Sequence, residues 1–313
     1  MTPIFAFDVA ADGTASPAAI NQPAAGAYRW LHCDLNDPDL PAWAEQNLPL
    51  HVASALTAKE TRPRVTLSNH SLLANFRAIN LNDGDDVEDM VALRLWVTPD
   101  LIVSVRRRRV FAMEALRQRF ESSDAPASAG AFLAALTELL IDRIEAVSLA
   151  VDAQTDTFED DVHDDGVTHV PALGPTRRKV IKLRRYIGPQ ADALRDLAKI
   201  SPDWVDPESR YALHETANRA RRTEEELTEV RDRLSALSEH LDLAQSARTN
   251  RNSYLLSAVA AIFLPLGFLT GLFGVNVAGM PGMTAPWAFA ALTAATLVIG
   301  LLTLLVLWWR NLL

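Results

Sequence analysis

Charge is missing from the end of the chain: between Asn252 and Trp309 there is no Asp, Glu, Lys, Arg or His. Two apolar runs fill this stretch, at about residues 254–274 and 286–309. Each has roughly the 20 residues that a helix needs to cross ~30 Å of hydrocarbon. One charge at the centre of such a helix costs about 2.5–3.5 kcal/mol on insertion scales. The absence therefore predicts a membrane hairpin rather than two buried core helices.

Cysteine is nearly absent as well. Cys33 is the single thiol, which excludes an internal disulfide and fits a reducing compartment. The first 13 residues have neither a basic segment nor a long apolar core, so no cleaved signal peptide is expected. The net charge of −9 over 313 residues argues against nucleic acid as a partner.

Catalytic and cofactor motifs are also missing. Residues 60–64 have the charge mix of a catalytic site, but no nucleophile, base or cofactor motif accompanies them, so the chain is not expected to be an enzyme or to hold a permanent cofactor. The basic run at residues 106–109 has two readings, a nucleic-acid or lipid patch and a strand end whose arginines pair with acidic neighbours. The second reading is favoured.

The sequence before the hairpin predicts an α+β cytoplasmic region at residues 1–125, then long helices at 126–251 and the hairpin at 252–313. The helices predicted after Gly130 carry almost no internal glycine or proline, and residues 207–251 carry no stop signal before the membrane. The last cytoplasmic helix should therefore continue into the first span, over very roughly 65 residues or about 100 Å. The expected strands are residues 4–9, 28–35, 72–81, 89–98 and 101–106, and the expected helices are 41–48, 111–120, 131–161, 175–197 and 207–251.

Two stripes run along the last cytoplasmic helix. An apolar heptad stripe should pack on neighbouring helices; it comprises Leu227, Val230, Leu234, Leu237, Leu241 and Ala244. A polar stripe lies on nearly the opposite face and comprises Glu225, Thr228, Asp232, Ser235, Glu239, Asp242, Ser246, Thr249 and Ser253. It is either a solvated coiled-coil face or the start of an ion path. The second reading is favoured because the same spacing continues into the membrane at Leu256, Ala260, Leu264 and Gly267.

The charges that flank the spans predict their orientation. Arg248 and Arg251 precede the first span and Arg310 follows the second, while the connecting loop has no charge. The positive-inside rule places both termini in the cytoplasm, in a multi-pass protein. Because two helices cannot enclose a water-filled path, a pore requires a homo-oligomer in the bilayer.

Gly274-Val275-Asn276, followed by Met280-Pro281, resembles the Gly-x-Asn signature of the CorA superfamily of divalent-cation transporters. Residues 263–273 and Gly282 are more similar to the ZntB branch, since CorA magnesium transporters commonly carry Glu directly after Met-Pro. The resemblance covers nearly the whole chain. In the soluble part it rests on residues 60–64, 80–82, 88–91, 94–96 and 106–109.

The resemblance implies a homopentamer in the inner membrane and proton-driven uptake of Zn²⁺, with Cd²⁺, Ni²⁺ or Co²⁺ as further cargo. It implies a selectivity filter at Gly274, Val275 and Asn276, with a ring of Asn276 amides at the outer mouth. It also supports pore-facing positions along the first span. The predicted pore lining is Ser246, Thr249, Ser253, Leu256, Ala260, Leu264 and Gly267, and the predicted cation-binding rings are Asn276, Asp242 and Glu239.

A second metal site is weighed in the densest acidic stretch of the chain. Asp160, His163, Asp164 and His169 offer ligands that suit zinc. The favoured reading of this stretch is a solvated hairpin tip.

Two other functions stay open at this point. One is a CorA-like Mg²⁺ or Co²⁺ channel. The other is a membrane-anchored cytoplasmic scaffold, which would need neither Asn276 nor a polar stripe that enters the bilayer.

Overall fold

A computed structural model describes residues 1–68, 70–163, 170–200, 202–275, 282 and 285–309, with only the backbone of His163 and Ile200. The chain forms two compact units, Met1–Ser238 and Glu239–Leu313. Their boundary falls inside one long helix. The division of the sequence at residues 125 and 251 stays a prediction, and each unit is described by itself below.

The first unit is built on a seven-stranded mixed sheet with strand order β2-β1-β3-β7-β6-β5-β4. The two central strands β3 and β7 are parallel, and all other neighbours are antiparallel. This confirms the α+β prediction. The strands are β1 Phe5–Val9, β2 Ala15–Pro17, β3 Tyr28–Asp34, β4 Arg64–Ser68, β5 Ser71–Ala78, β6 Val91–Val97 and β7 Leu101–Arg106.

Alternating strand residues bury both faces of the sheet. On one face Leu31, Cys33 and Val105 join a cluster with the two short helices α1 and α2. On the other face the Trp30 ring packs on Phe120 and Phe132, with ring centroids 4.6 and 5.0 Å away. The helices are α1 Leu40–Asn47, α2 Leu50–Thr57, α3 Phe111–Glu121, α4 Ala129–His163, α5 Leu173–Ile200, α6 Pro207–Gly274 and α7 Ala288–Trp309.

The 68-residue helix α6 confirms that the last long helix before the hairpin continues into the first apolar run. Its apolar stripe is buried, with Leu227 and Leu234 fully covered and Ala244 half-buried. Arg219 on α6 binds Asp142 and Glu145 of α4. These ion pairs and the buried stripe fix the first part of α6 within the first unit.

His32 lies fully buried at the centre of the sheet in a hydrogen-bond network that keeps it neutral. Arg106 Nε donates to His32 Nε2 at 3.1 Å. His32 Nδ1 is 2.8 Å from Ser104 Oγ, which also accepts a hydrogen bond from Trp30 Nε1. Nδ1 therefore carries the proton. Burial, and then the positive charges of Arg106 and Arg117, lower the pKa of His32 to about 3.

This pKa predicts an acid-sensitive fold. The unfolded chain binds a proton at His32 below about pH 6.5, whereas the folded chain does so only near pH 3, so stability falls as the pH drops between these values. At pH 5 this difference in proton binding at His32 lowers the free energy of unfolding by about 2 kcal/mol. We expect His32→Gln to lose less stability than the wild type between pH 7 and pH 5. Urea unfolding followed by tryptophan fluorescence measures this loss at each pH.

The exposed His51→Gln variant is the control and should keep the wild-type pH response. If His32→Gln and the wild type lose equal stability between pH 7 and pH 5, the assignment of His32 as the acid-sensitive group is wrong.

Candidate ion-conduction path

The second unit contains the apolar part of α6 and the helix α7, and both are long and apolar enough to cross a membrane. Large apolar side chains cover their surfaces, among them Phe263, Phe268 and Trp309, and most are exposed in the single chain. Exposed apolar surface of this extent requires lipid or another protein chain to cover it. The two helices thus agree with the hairpin predicted from the sequence.

One face of α6 packs on α7. A Cβ atom at Gly300 of α7 would lie 3.6 Å from Leu266 Cδ1, so these helices are in direct contact. The positions of α6 at this depth that are not exposed are Ala258, Ala260, Ile262, Leu266 and Leu269. All of them except Ala260 recur three or four residues apart, as expected for one helix face.

The predicted pore lining lies on nearly the opposite side of α6, because 3.6 residues complete one turn. Leu256 is 72% exposed and Leu264 is 70% exposed. Nothing lies within 4 Å of a Cβ atom placed at Gly267. Ser246, Thr249 and Ser253 are exposed too, while Ala260 is half-buried. Within the described part, the chain thus leaves the predicted pore face almost uncovered.

The acidic positions of the polar stripe fall into two groups. Glu225 binds Arg221 and Asp232 binds Arg231. Glu239 and Asp242 are exposed, and no lysine or arginine in the described ranges forms an ion pair with either of them. The two carboxylates nearest the membrane are therefore the ones left available to attract cations.

The predicted filter is only partly within the described residues. Gly274 ends α6, and Val275 follows with an exposed side chain. Asn276 lies outside the described residues, so its place in the filter stays a prediction.

The acidic stretch at the end of α4 is partly occupied by one arginine. Arg233 of α6 binds Asp152, Asp156 and Glu159. Asp160 is exposed on α4, while the His163 side chain, Asp164 and His169 lie outside the described part. In the regions that the structure describes, no group of three or more His, Cys, Asp or Glu could hold a metal ion. The second metal site stays a prediction.

The basic run at the end of β7 divides in the structure. Arg108 binds Asp85 at 2.6 Å and Arg109 lies 3.5 Å from Glu114, as the pairing interpretation predicted. Arg107 forms no ion pair in the described residues, and together with Arg108 it lines a basic cleft that also contains Arg77 and Arg94. This cleft was not predictable from the sequence, because its residues come from separate strands, loops and a helix. The nearest sequence signal was the recurrence of arginine in residues 60–64, 94–96 and 106–109.

The chain is similar to known proteins over most of its length. The chain is 32% identical to the zinc transport protein ZntB of Pectobacterium atrosepticum over 282 residues, which cover 90% of this chain and 85% of the relative. It is 34% identical to the divalent cation transporter CmaX of Pseudomonas aeruginosa over 285 residues, with 90% and 85% coverage. The solved structure of full-length CmaX superimposes with a TM-score of 0.86 at 31% identity, covering 99% of this chain and 97% of that chain.

The sequence model of one family matches residues 25–309. That match includes the sheet from β3 onward, the long helices α4 to α6 and the apolar helix α7. The chain therefore belongs to the family of CorA-like Mg²⁺ transporter proteins.

Proposed function

We propose that this chain carries divalent metal cations across a membrane, through a path lined by α6 in a homo-oligomer. The observation that carries the proposal is the uncovered face of α6, which lies opposite the face packed on α7. Several copies of α6 around one axis would cover that face and enclose water, while α7 would separate it from lipid. The number of subunits is proposed to be five, by resemblance to the CorA superfamily.

The proposed path has three zones with different chemistry. A ring of Asn276 amides at the outer mouth offers neutral oxygens, which suit a cation that keeps its water shell. The side chains of Leu256, Ala260 and Leu264 form an apolar throat that can gate by dewetting. Rings of Glu239 and Asp242 on the cytoplasmic side raise the local concentration of cations.

Zn²⁺ is the cargo that we propose, with Cd²⁺, Ni²⁺ and Co²⁺ as further substrates. The proposal is supported by the similarity to ZntB and by Gly282 after Met280-Pro281, where CorA magnesium transporters commonly carry Glu. Mg²⁺ is the second candidate, because the description of the family names that ion. Parallel influx measurements with each ion, in vesicles that contain the purified protein, distinguish the two.

The proposed location is the inner membrane, with both termini in the cytoplasm. The arginines on one side of the hairpin support this orientation, since the loop between the spans carries no charge. A protease-protection assay on right-side-out and inverted vesicles tests it.

Proton coupling, if present, cannot use an acidic or histidine relay inside the bilayer, since the sequence has no Asp, Glu or His between Asn252 and Trp309. Protons would then move with the hydrated cation or titrate the cytoplasmic rings. His240 is exposed beside Glu239. We assign the pH response to the carboxylate rings, because His240 lies beside the stripe rather than on it.

Neutralising both rings with Glu239→Gln and Asp242→Asn should raise the half-saturating zinc concentration about tenfold, equivalent to ~1.4 kcal/mol of lost attraction. It should also blunt the dependence of influx on pH. Zinc influx into vesicles, measured against zinc concentration at several imposed pH gradients, gives both quantities.

The matched control is Glu225→Gln with Asp232→Asn, on the same stripe but at carboxylates already paired with arginines. These substitutions should leave both quantities near the wild-type values. If the ring variant keeps the full pH response and His240→Ala loses it, the rings are not the coupling site.

A further inference from the structure

A cleft of about 830 Å³ opens in the first unit, and none of the residues of the proposed ion path lines it. Its volume is typical of sites for small molecules. Cationic side chains dominate its lining: Lys59, Arg62, Arg77, Arg94, Arg107, Arg108 and Arg185, against the carboxylates Glu60 and Asp89.

Arg94 on β6 lines the cleft and is only 2% exposed. Its Nε and Nη2 donate to the carbonyl oxygen of Ala58 at 3.1 and 2.6 Å. Its Nη1 is buried with no hydrogen-bond partner among the described residues. Burial lowers the pKa of Arg94, and the nearby charges of Arg77 and Arg107 lower it further. A buried guanidinium without a counter-charge is costly, and a bound anion would remove that cost.

Arg77 on β5 repeats this arrangement beside Arg94. Its Nη1 donates to the Met90 carbonyl at 3.0 Å and its Nη2 to the Thr61 carbonyl at 2.5 Å, while the guanidinium lies 4.5 Å from the Tyr186 ring centroid. Arg77 Nε and Thr61 Oγ1 are buried and lack hydrogen-bond partners in the described part of the chain. The carbonyl contacts hold both guanidinium groups in place beside the cleft.

The exposed side chains around the cleft also carry positive charge that no carboxylate neutralises. Lys59, Arg62, Arg107 and Arg185 are exposed, and none forms an ion pair with a carboxylate that the structure describes. Arg29, another buried arginine of the first unit, has a counter-charge: it donates two hydrogen bonds of 2.6 and 2.7 Å to Asp8. The contrast shows that the positive charge of the cleft is not balanced from within the described chain.

We propose that this cleft is a binding site for a soluble phosphate-bearing small molecule with at least two negative charges. Arginine forks bind phosphate oxygens through paired hydrogen bonds, and charge-assisted bonds of this kind are about twice as strong as neutral ones. The volume accommodates a diphosphate group with an organic substituent, as in a nucleoside diphosphate. The site stands on the geometry of the first unit and does not depend on the proposed transport function.

Isothermal titration calorimetry on the full-length protein in detergent tests the proposal, with EDTA present so that metal binding does not contribute. The probes are pyrophosphate, ADP and inorganic phosphate. We expect saturable binding of pyrophosphate and ADP, at least about tenfold tighter than that of phosphate, and weaker in high salt. No binding of pyrophosphate or ADP to folded protein would overturn the proposal.

The rim variants Arg62→Gln and Arg107→Gln should each weaken pyrophosphate binding about tenfold, and both positions are exposed, so folding should be retained. Arg94→Lys tests whether the buried Arg94 guanidinium contributes to pyrophosphate binding. Circular dichroism checks that this variant folds. The matched control is Arg195→Gln, an exposed arginine of the same unit that binds Asp192 and lies outside the cleft. Equal weakening in Arg195→Gln and Arg107→Gln would show general charge attraction and refute the site. If Arg107→Gln forms a smaller oligomer than the wild type, and neither protein binds pyrophosphate or ADP, the cleft contacts a second copy of the chain instead.

Discussion

Asn276→Ala is expected to reduce zinc influx about 100-fold, which corresponds to ~2.7 kcal/mol of added barrier. The proposed ring of amide oxygens at the outer mouth holds the hydrated cation where it leaves bulk water. Alanine removes that oxygen and leaves an apolar ring, so the cation loses its partner at the narrow entrance. The measurement is the initial rate of zinc influx into vesicles that contain equal amounts of variant and wild-type protein.

The control for this prediction is Asn311→Ala. This substitution also removes a side-chain amide, but after the second apolar run rather than in the loop before it. It should conduct at the wild-type rate, and size-exclusion chromatography should give the same oligomer for all three proteins. Unchanged influx in Asn276→Ala would refute the filter. If Asn276→Ala no longer assembles, that variant does not test the filter. Asn276→Gln, which keeps the amide group, is then measured in its place.

Cysteine substitution along α6 should divide the span into two faces. The chain suits this experiment because Cys33 is the single cysteine, is 1% exposed, and has its pKa raised to about 12 by burial and by the nearby Asp37 charge. A thiol that stays protonated and covered does not react. We expect Leu264→Cys to be modified by a cationic methanethiosulfonate reagent and Leu266→Cys to resist it, since Leu266 packs against α7 at the same depth.

Modification should also stop transport. A ring of fixed positive charge at Leu264 opposes cation entry into the throat, so influx through modified Leu264→Cys should fall to the level of empty vesicles. Modified wild type should keep its rate. Faster labelling of Leu266→Cys than of Leu264→Cys would place the water-filled path on the other face of α6.

The long elements of the fold were predictable because their patterns are local. The lack of charge after Asn252 and the lack of helix stop signals predicted α6 over nearly its full length. The alternation of apolar and polar residues predicted five of the strands to within a few residues. The short elements β2, α2 and β4, which have three, eight and five residues, were not predicted. Elements so short contain too few periods to distinguish helix, strand and loop.

The two arginine arrangements of the first unit could not be predicted, because they depend on tertiary placement. Arg233 meets Asp152 across more than 80 residues of sequence, and Arg94 meets the Ala58 carbonyl across 36. The same arginine composition fits a solvated surface, an ion-pair network or an anion site. Only the contacts separate Arg233, which binds three carboxylates, from Arg94, which binds none in the described chain.

Zinc influx into vesicles reconstituted with the purified wild-type chain, followed with an entrapped zinc-sensitive dye, tests the central claim most directly. The account predicts a protein-dependent influx that saturates with zinc concentration and is absent from empty vesicles. If Zn²⁺, Mg²⁺, Co²⁺ and Ni²⁺ all enter vesicles containing the assembled oligomer no faster than they enter empty ones, the hairpin is only an anchor and the transport proposal is contradicted.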